Sequence, residues 1–374
     1  MQGKSVAHLT SVHPRFDTRI FLKECRSLAA AGYRVSLIVA DGNGDEINDG
    51  VQIIDVGRKP GRIGRMTVTS RRILARALEL DADIYHLHDP ELLAIAKRLK
   101  SAGNAVIFDA HEDVPVQILG KPYLWPVFRK VLSRTFAAYE ARICRGLDAV
   151  VTATPFIRDK FLQINSNTVD INNYPIPDEM VSPDDDLNGN RRNISYIGSI
   201  SVNRGVFDIV RAMELLDGTA RLSLCGTFED EGVRSQVKAY TGWDRVDELG
   251  WLDRDAVRQV LLNSAAGLVT LRPLPNYLDS HPIKMFEYMS AAVPVIASDF
   301  PLWREIIEGN DCGICVDPEQ PEAIAKAINY LVQNPVRARE MGENGRKAVQ
   351  NTYNWPAEER KLVDLYDQIN GRAD

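Results

Sequence analysis

The residues best suited to chemistry in this chain lie between Asn276 and Ile307, in NYLDSHPIKMFEYMSAAVPVIASDFPLWREII. Two carboxylates, Asp279 and Glu287, flank His281, Pro282 and Lys284 there. Pro282 has no N–H to lose in a first helical turn, so a helix is expected to open near Ser280–Ile283 and run to Ala292. Glu287 then lies about one turn in, on the face of Ile283 and Lys284, where a carboxylate can point into a cleft. A helix that opens out of a loop also offers free N–H groups and the positive end of its dipole, a natural seat for a phosphate.

Other polar residues follow strand-like runs. After Ile194–Ile197 comes Gly198-Ser-Ile-Ser-Val-Asn-Arg204-Gly205. Glycine after a strand lets backbone approach a ligand, and a cation on the next loop, Arg204, can neutralise a diphosphate leaving group. Near the N-terminus, Ser11–Arg19 gathers His13, Arg15, Asp17 and Arg19 between a strand and a helix start, which suits an acceptor or a phosphate. Asp17 or Thr18 alternatively caps that helix. His86 and His88 share a strand face at period two, ahead of Asp89 and Glu91, but no third metal ligand is evident from spacing. His111, after the strand-like VIF, has the residue type for proton transfer near neutral pH or for bonding a sugar hydroxyl.

The elements that must position these residues alternate. Strand-like Ser5–Leu9, Val35–Val39, Ile53–Val56, Ile84–Leu87, Val106–Phe108 and Ala149–Thr152 are interleaved with helix-like Thr18–Ala31, Ser70–Leu80, Leu92–Lys100 and Val127–Arg145. Asn172–Arg192, rich in Pro, Asp and Asn, reads as an interdomain connection. The pattern then restarts, with strands at Ile194–Ile197, Arg221–Cys225, Val246–Leu249, Ala266–Thr270 and Ile314–Val316, and helices at Val206–Leu216, Asp255–Asn263, Pro321–Gln333, Val336–Thr352 and Pro356–Ile369. Repeated βα units imply doubly wound parallel sheets, whose ligands bind beyond the carboxyl ends of the strands.

The acidic-x7-Glu spacing of Asp279 to Glu287, followed by PVIAS at Pro294–Ser298, resembles the nucleotide-sugar site of the family 4 glycosyltransferases. The chain departs from that pattern in having Asp279 for the first Glu, Ser280-His281-Pro282 for Gly-Phe-Gly, and Ser199 where the family often has Arg. The resemblance implies a GT-B fold, two facing Rossmann-like α/β domains with a cleft between them. It places an acceptor-binding domain at 1–185 and a nucleotide-sugar domain at 186–355, with the helix 356–374 packing back on the first. It further implies a retaining, metal-independent transfer of a sugar from a nucleoside diphosphate to a glycan or lipid-linked acceptor. Arg204 and Lys284 then stabilise the diphosphate, and Gly198, Gly226, Trp251 and Leu252 hold the nucleotide. Glu287 takes the ribose hydroxyls, since a carboxylate offers only acceptors to a diol. Asp279 and His111 meet the transferred sugar, and His13, Arg15, Asp17, Arg19, His88 and Asp89 line the acceptor side.

Composition narrows the field. At 374 residues the chain exceeds one ordinary hydrophobic core, and 45% hydrophobic with 26% charged residues reads as a globular protein. A net charge of −6 argues against a general nucleic-acid binder. No run reaches transmembrane length, and five scattered cysteines suit a reducing, cytoplasmic setting. Two stretches, the seven-cation Arg58–Arg76 and the aromatic, basic Lys121–Phe136, suggest peripheral contact with an anionic membrane on its inner face, or else an ordinary solvated loop and helix. A GT-B epimerase or hydrolase, or a non-catalytic nucleotide-binding scaffold, remains the alternative. A dinucleotide dehydrogenase would need a G-x-G-x-x-G after a first strand, which is lacking.

Overall fold

A computed structural model describes residues 4–58, 61–121, 124–177, 179–180 and 191–371, the side chains of 62 and 63 apart. It divides into two compact units, Met1–Asn173 with Pro356–Asp374, and Tyr174–Trp355. Most of the connection read between 172 and 192, including 185 and 186, lies outside the described residues.

The first unit is built on an eight-stranded sheet: β1 (Ser5–Leu9), β2 (Arg34–Val39), β3 (Glu46–Asn48), β4 (Val51–Asp55), β5 (Ile84–Leu87), β6 (Ala105–Ala110), β7 (Ala149–Thr152) and β8 (Thr168–Asp170). Their order is β3-β4-β2-β1-β5-β6-β7-β8, and only the β3–β4 pair is antiparallel. Chain order reverses between β1 and β5, so the loops after those strands frame the switch-point crevice. Strands β3 (EIN) and β8 (TVD) escape sequence reading because three residues carry no usable alternation.

The helix expected over Thr18–Ala31 begins instead with widened π-type turns at Ile20–Cys25 and becomes α-helical at Arg26–Ala30. Leu22 N–H reaches back to the Asp17 carbonyl and Glu24 N–H to that of Arg19, five residues in each case. The wider turn carries two charged side chains, Lys23 and Glu24, into the interior. Gly32, at φ +94°, closes the helix, where Tyr33 N–H bonds the Leu28 carbonyl.

The second unit holds β9 (Asn193–Ile197), β10 (Leu222–Cys225), β11 (Val246–Gly250), β12 (Ser264–Val269), β13 (Val295–Ser298) and β14 (Gly313–Val316) in a parallel sheet ordered β11-β10-β9-β12-β13-β14. Its reversal falls between β9 and β12. Alternation along β13 sends Ile296 into one core cluster and Val295 and Ala297 into another, so both faces are covered.

The last helix, Trp355–Gly371, is stitched to the first unit. Glu358 accepts the Asn172 N–H at 2.8 Å, and Lys4 donates to the Asn370 carbonyl at 3.2 Å. Helix Pro335–Asn351 crosses the end of helix Ile283–Ser290 through glycine: a Cβ on Gly342 would fall 2.2 Å from the Ala292 carbonyl oxygen. Gly342→Ala, which in an exposed helix would add up to about 1 kcal/mol of helix propensity, is therefore expected to destabilise the second unit by about 1–3 kcal/mol as overpacking. Urea denaturation followed by circular dichroism reads the sign directly.

Candidate functional site

In the second unit the switch point is floored by glycine. Gly198, just past β9, has φ +112°, and Gly226, just past β10, has φ +144°. A Cβ on Gly226 would stand 1.9 Å from the Gly198 carbonyl oxygen, and one on Gly205 2.2 Å from that of Thr270. These loops pack backbone on backbone, which only glycine permits. Above them lies Lys284, on the first turn of helix Ile283–Ser290, whose N-cap is Pro282. The missing N–H of Pro282 thus falls outside the helix.

Lys284 is buried, and its Nζ has no hydrogen-bond acceptor among the described residues. It sits 3.8 Å from the centre of the Tyr196 ring, and a Cβ on Gly198 would come within 3.4 Å of it. Burial pushes its ammonium well below the ordinary lysine value, the neighbouring Arg204 pushes the same way, and Glu287 opposes them. Arg204 is half-buried near the Tyr196 hydroxyl, which donates to the Ser199 carbonyl at 2.7 Å.

The remaining candidates of this unit flank that group. Glu287 pairs with Arg254 at 3.5 Å, and Arg254 also meets Glu179 at 2.6 Å. Asp279 is half-exposed just beyond the short helix Pro275–Leu278, in a loop held by Trp303 Nε1 donating to the Ser280 carbonyl at 2.8 Å. Trp251, 77% exposed, and Leu252, half-buried, follow β11. Arg272 donates to Asp208 at 2.8 Å.

In the first unit, β1 and β5 put His8 beside His86 in register, with His88 beyond. All three rings are buried, and burial pulls each below the ordinary imidazole value, His88 down to about 4, so they are neutral at pH 7. Asp109, at the end of β6, binds Arg19 through two bonds of 2.8 and 2.9 Å, and the third Arg19 contact is to the Ile171 carbonyl at 2.7 Å. Burial would raise the Asp109 carboxyl, but Arg19 foremost, then His111 and His88, hold it well below the usual range. Burial pushes the carboxyl of Glu24, beside them, well above its ordinary value, against the pull of Arg19. His111 Nε2 lies 3.0 Å from Asp109 Oδ2, with its side chain 19% exposed.

His13 leans on the same group: its ring centre is 5.1 Å from that of His111, and its Nδ1 is 3.2 Å from Asp17 Oδ2. Asp17 caps the helix, accepting from Arg19 N–H and Ile20 N–H at 2.9 and 3.0 Å. Asp89 accepts from Thr10 Oγ1 at 2.8 Å and Ser11 N–H at 2.6 Å. Arg15 is spent on Asp41, Glu46 and the Gly44 carbonyl, so its donors and those of Arg19 are engaged within the protein. The exposed rim of this crevice is thus His13 and His111.

Sequence reading missed His8, Glu24, Asp109 and Tyr366 as members of this group. Their only signal was a polar residue at a core position of a strand or amphipathic helix. Nor did spacing show a third ligand near His86 and His88, whereas the fold supplies two sets: His8, Glu24, His86 and His88 bring ligand-type atoms within 4.8 Å of one another, and so do His88, Asp109 and His111. The closest imidazole pair, His8 Nδ1 to His88 Nε2, is 2.8 Å apart. Two nitrogens on one tetrahedral zinc stand about 3.3 Å apart, so this pair is spaced for a shared hydrogen.

Comparison with known proteins agrees with the fold. Residues 18–171 match the family model for Glycosyltransferase Family 4, and residues 180–348 that for Glycosyl transferases group 1. The chain belongs to the family 4 glycosyltransferases and has the GT-B fold. It is 27% identical over 261 residues to alpha-maltose-1-phosphate synthase of Mycolicibacterium smegmatis, covering 62% of this chain and 66% of that protein. It is 23% identical over 302 residues to phosphatidyl-myo-inositol mannosyltransferase of Mycobacterium leprae, covering 77% and 74%. The match to alpha-maltose-1-phosphate synthase of Mycobacterium tuberculosis spans 49% of that protein, so the chain is aligned with about half to two thirds of these synthases. Among solved structures, sucrose-phosphate synthase from Thermosynechococcus elongatus superposes with a TM-score of 0.78 at 19% identity over 99% of this chain and 100% of that one. HepE of Anabaena in complex with UDP-glucose superposes at 0.73 and 13% identity, over 97% and 99%.

Asp109→Asn leaves the Arg19 guanidinium buried without its counter-charge, and is expected to cost about 3–5 kcal/mol. Because the folded-state carboxyl is held below its unfolded value near 4, its stabilisation is complete above that pH and is lost as pH falls through the folded value. Urea midpoints across the acid range should therefore fall less steeply in Asp109→Asn than in the wild type.

Proposed function

We propose that this protein is a retaining glycosyltransferase that moves a sugar from a nucleoside diphosphate to a glycan or lipid-linked acceptor without a metal. The observation that carries the reading is Lys284. A buried ammonium lacking an acceptor is costly in the free protein, and an anion seated against it would supply the missing partner. Its neighbours suit a diphosphate: Arg204 adds a second cation, Gly198 lets the ligand approach backbone, and helix Ile283–Ser290 points its N-terminus at the same place. The relative crystallised with UDP-glucose has the same fold.

In this reading Arg204 and Lys284 stabilise charge on the leaving diphosphate as the glycosidic bond breaks, doing the work a metal does elsewhere. Glu287 accepts from the ribose hydroxyls, the loops at Gly226 and at Trp251-Leu252 hold the nucleoside, and Asp279 and His111 orient the transferred sugar. With retention, a donor phosphate oxygen takes the acceptor's proton on the face the diphosphate leaves. Acceptor contact falls to His13, His88 and Asp89 rather than to the engaged Arg15 and Arg19.

Thermal melting with UDP, GDP and UDP-glucose tests the donor site, since a ligand at a hundredfold over its dissociation constant adds about 2.7 kcal/mol. One diphosphate class should raise the wild-type midpoint with EDTA present and fail to do so in Lys284→Met and Arg204→Ala. Lys284→Met should itself melt above the wild type without ligand, because it removes an unpaired buried cation. A wild-type shift undiminished in both variants would overturn the assignment.

The acceptor side has its own observation. Helix Pro126–Cys144 exposes Val127, Phe128 and Val131 beside Arg129, Lys130 and Arg134, and Trp125 ahead of it is 83% exposed. We assign this face to an anionic bilayer that carries a lipid-linked acceptor. Sedimentation with vesicles containing phosphatidylglycerol should bring the protein down at low salt, and Trp125→Ser with Phe128→Ser should release it. No sedimentation at low salt removes this assignment. Among the described residues no helix is long and apolar enough to cross a membrane.

A further inference from the structure

The buried histidines of the first unit connect into a line. Tyr366 Oη, on the C-terminal helix, lies 2.7 Å from His86 Nδ1 and 3.3 Å from His8 Nε2. His8 Nδ1 is 2.8 Å from His88 Nε2. His88 Nδ1 is 3.3 Å from Asp109 Oδ2, the same oxygen that meets His111 Nε2 at 3.0 Å. We propose that His86, Tyr366, His8 and His88 form a hydrogen-bond chain of a single direction ending on Asp109, and that these positioning residues hold His111 in one tautomer.

The direction follows from its end. His88 Nδ1 and His111 Nε2, 3.2 Å apart, both face Asp109 Oδ2, and an ionised carboxylate only accepts; with each nitrogen donating to that oxygen, His88 carries its hydrogen on Nδ1, and a neutral His88 then has a bare Nε2. That nitrogen can only accept, which puts the His8 hydrogen on Nδ1 and leaves His8 Nε2 bare. Tyr366 must donate there, and its oxygen is free to accept from His86 Nδ1–H. The one atom left over is His86 Nε2, which has no hydrogen-bond partner. In this arrangement it is a bare lone pair, whereas the reverse direction would bury an unpaired N–H there.

At the far end the same carboxylate fixes His111. Its Nε2 faces Asp109, so in neutral His111 the hydrogen sits on Nε2 and Nδ1 is the acceptor. His111 therefore meets a ligand hydroxyl as an acceptor, not a donor. The charged groups packed around the chain are Arg19, whose Nε lies 3.0 Å from Glu24 Oε1 while donating to Asp109; Glu24 itself, 3.8 Å from His8 Nδ1 and from His88 Nε2; and Asp17 and His13 at the rim. A metal held by His8, Glu24, His86 and His88 is the competing arrangement, and it would take the nitrogens that the chain protonates.

The protein has six histidines, few enough to resolve by long-range 1H–15N spectroscopy of histidine-labelled protein, each assigned by its His→Gln variant. At neutral pH the chain requires Nδ1–H signatures for His8, His86 and His88 and an Nε2–H signature for His111. Tyr366→Phe removes the donor to His8 and is expected to turn its single tautomer into a mixture, with the His88 resonances following. An Nε2–H tautomer at His8 or His88 in the wild type overturns the proposal, as does one equivalent of zinc, iron or manganese in the purified protein by elemental analysis. The wild-type spectrum decides even if Tyr366→Phe does not fold. It involves no nucleotide, so its outcome is independent of the sugar-transfer reading.

Discussion

A cation taken out of water must find a partner, and the two units answer that constraint in opposite ways. In the first, Arg19 is fully enclosed and fully satisfied: Asp109 takes two of its donors and the Ile171 carbonyl a third. That pair ties the first helix to the middle of the sheet and to the strand end from which the chain leaves the unit. In the second, Lys284 is enclosed beside a tyrosine ring with no acceptor among the described residues. A protein at rest loses stability from such a charge and gains it back when an anion arrives. The contrast is between a buried cation with its partners and a buried cation without one.

Both groups stand at reversals of strand order. The β1–β5 boundary brings His8, His86 and His88 together, and the β9–β12 boundary brings Gly198 and Gly205 against the loops after β10 and β12. Doubly wound sheets leave a crevice there for topological reasons, since the flanking connections turn away on opposite faces. The chain has filled one crevice with an imidazole network and floored the other with bare backbone.

Much of this was legible in the residues themselves. Strands Ser5–Leu9, Ile84–Leu87 and Ala149–Thr152 and helices Ser70–Leu80 and Pro321–Gln333 coincide with the runs read from the sequence, because the strands are short apolar runs between polar or turn residues and the helices are amphipathic over three turns. Lys284 could be tied to the phosphate only through the family resemblance, since a lysine in an amphipathic helix is ordinarily solvated and nothing local says it is buried. The histidine chain was invisible for a different reason. His8, His88, Asp109 and Tyr366 come from four separate elements, so no spacing along the chain connects them. Arg15 shows the converse, since a polar loop residue that looked available turned out to be holding the β2–β3 connection.

If Lys284 is the group that an anionic donor completes, binding and protonation are linked. Isothermal titration of the stabilising nucleoside diphosphate, at alkaline pH and in two buffers of different ionisation enthalpy, counts the protons taken up on binding. Because burial and Arg204 depress the ammonium in the free protein and a diphosphate would restore it, net proton uptake is expected of the wild type and none of Lys284→Met under the same conditions. Tight binding with identical proton counts in the two proteins would contradict it.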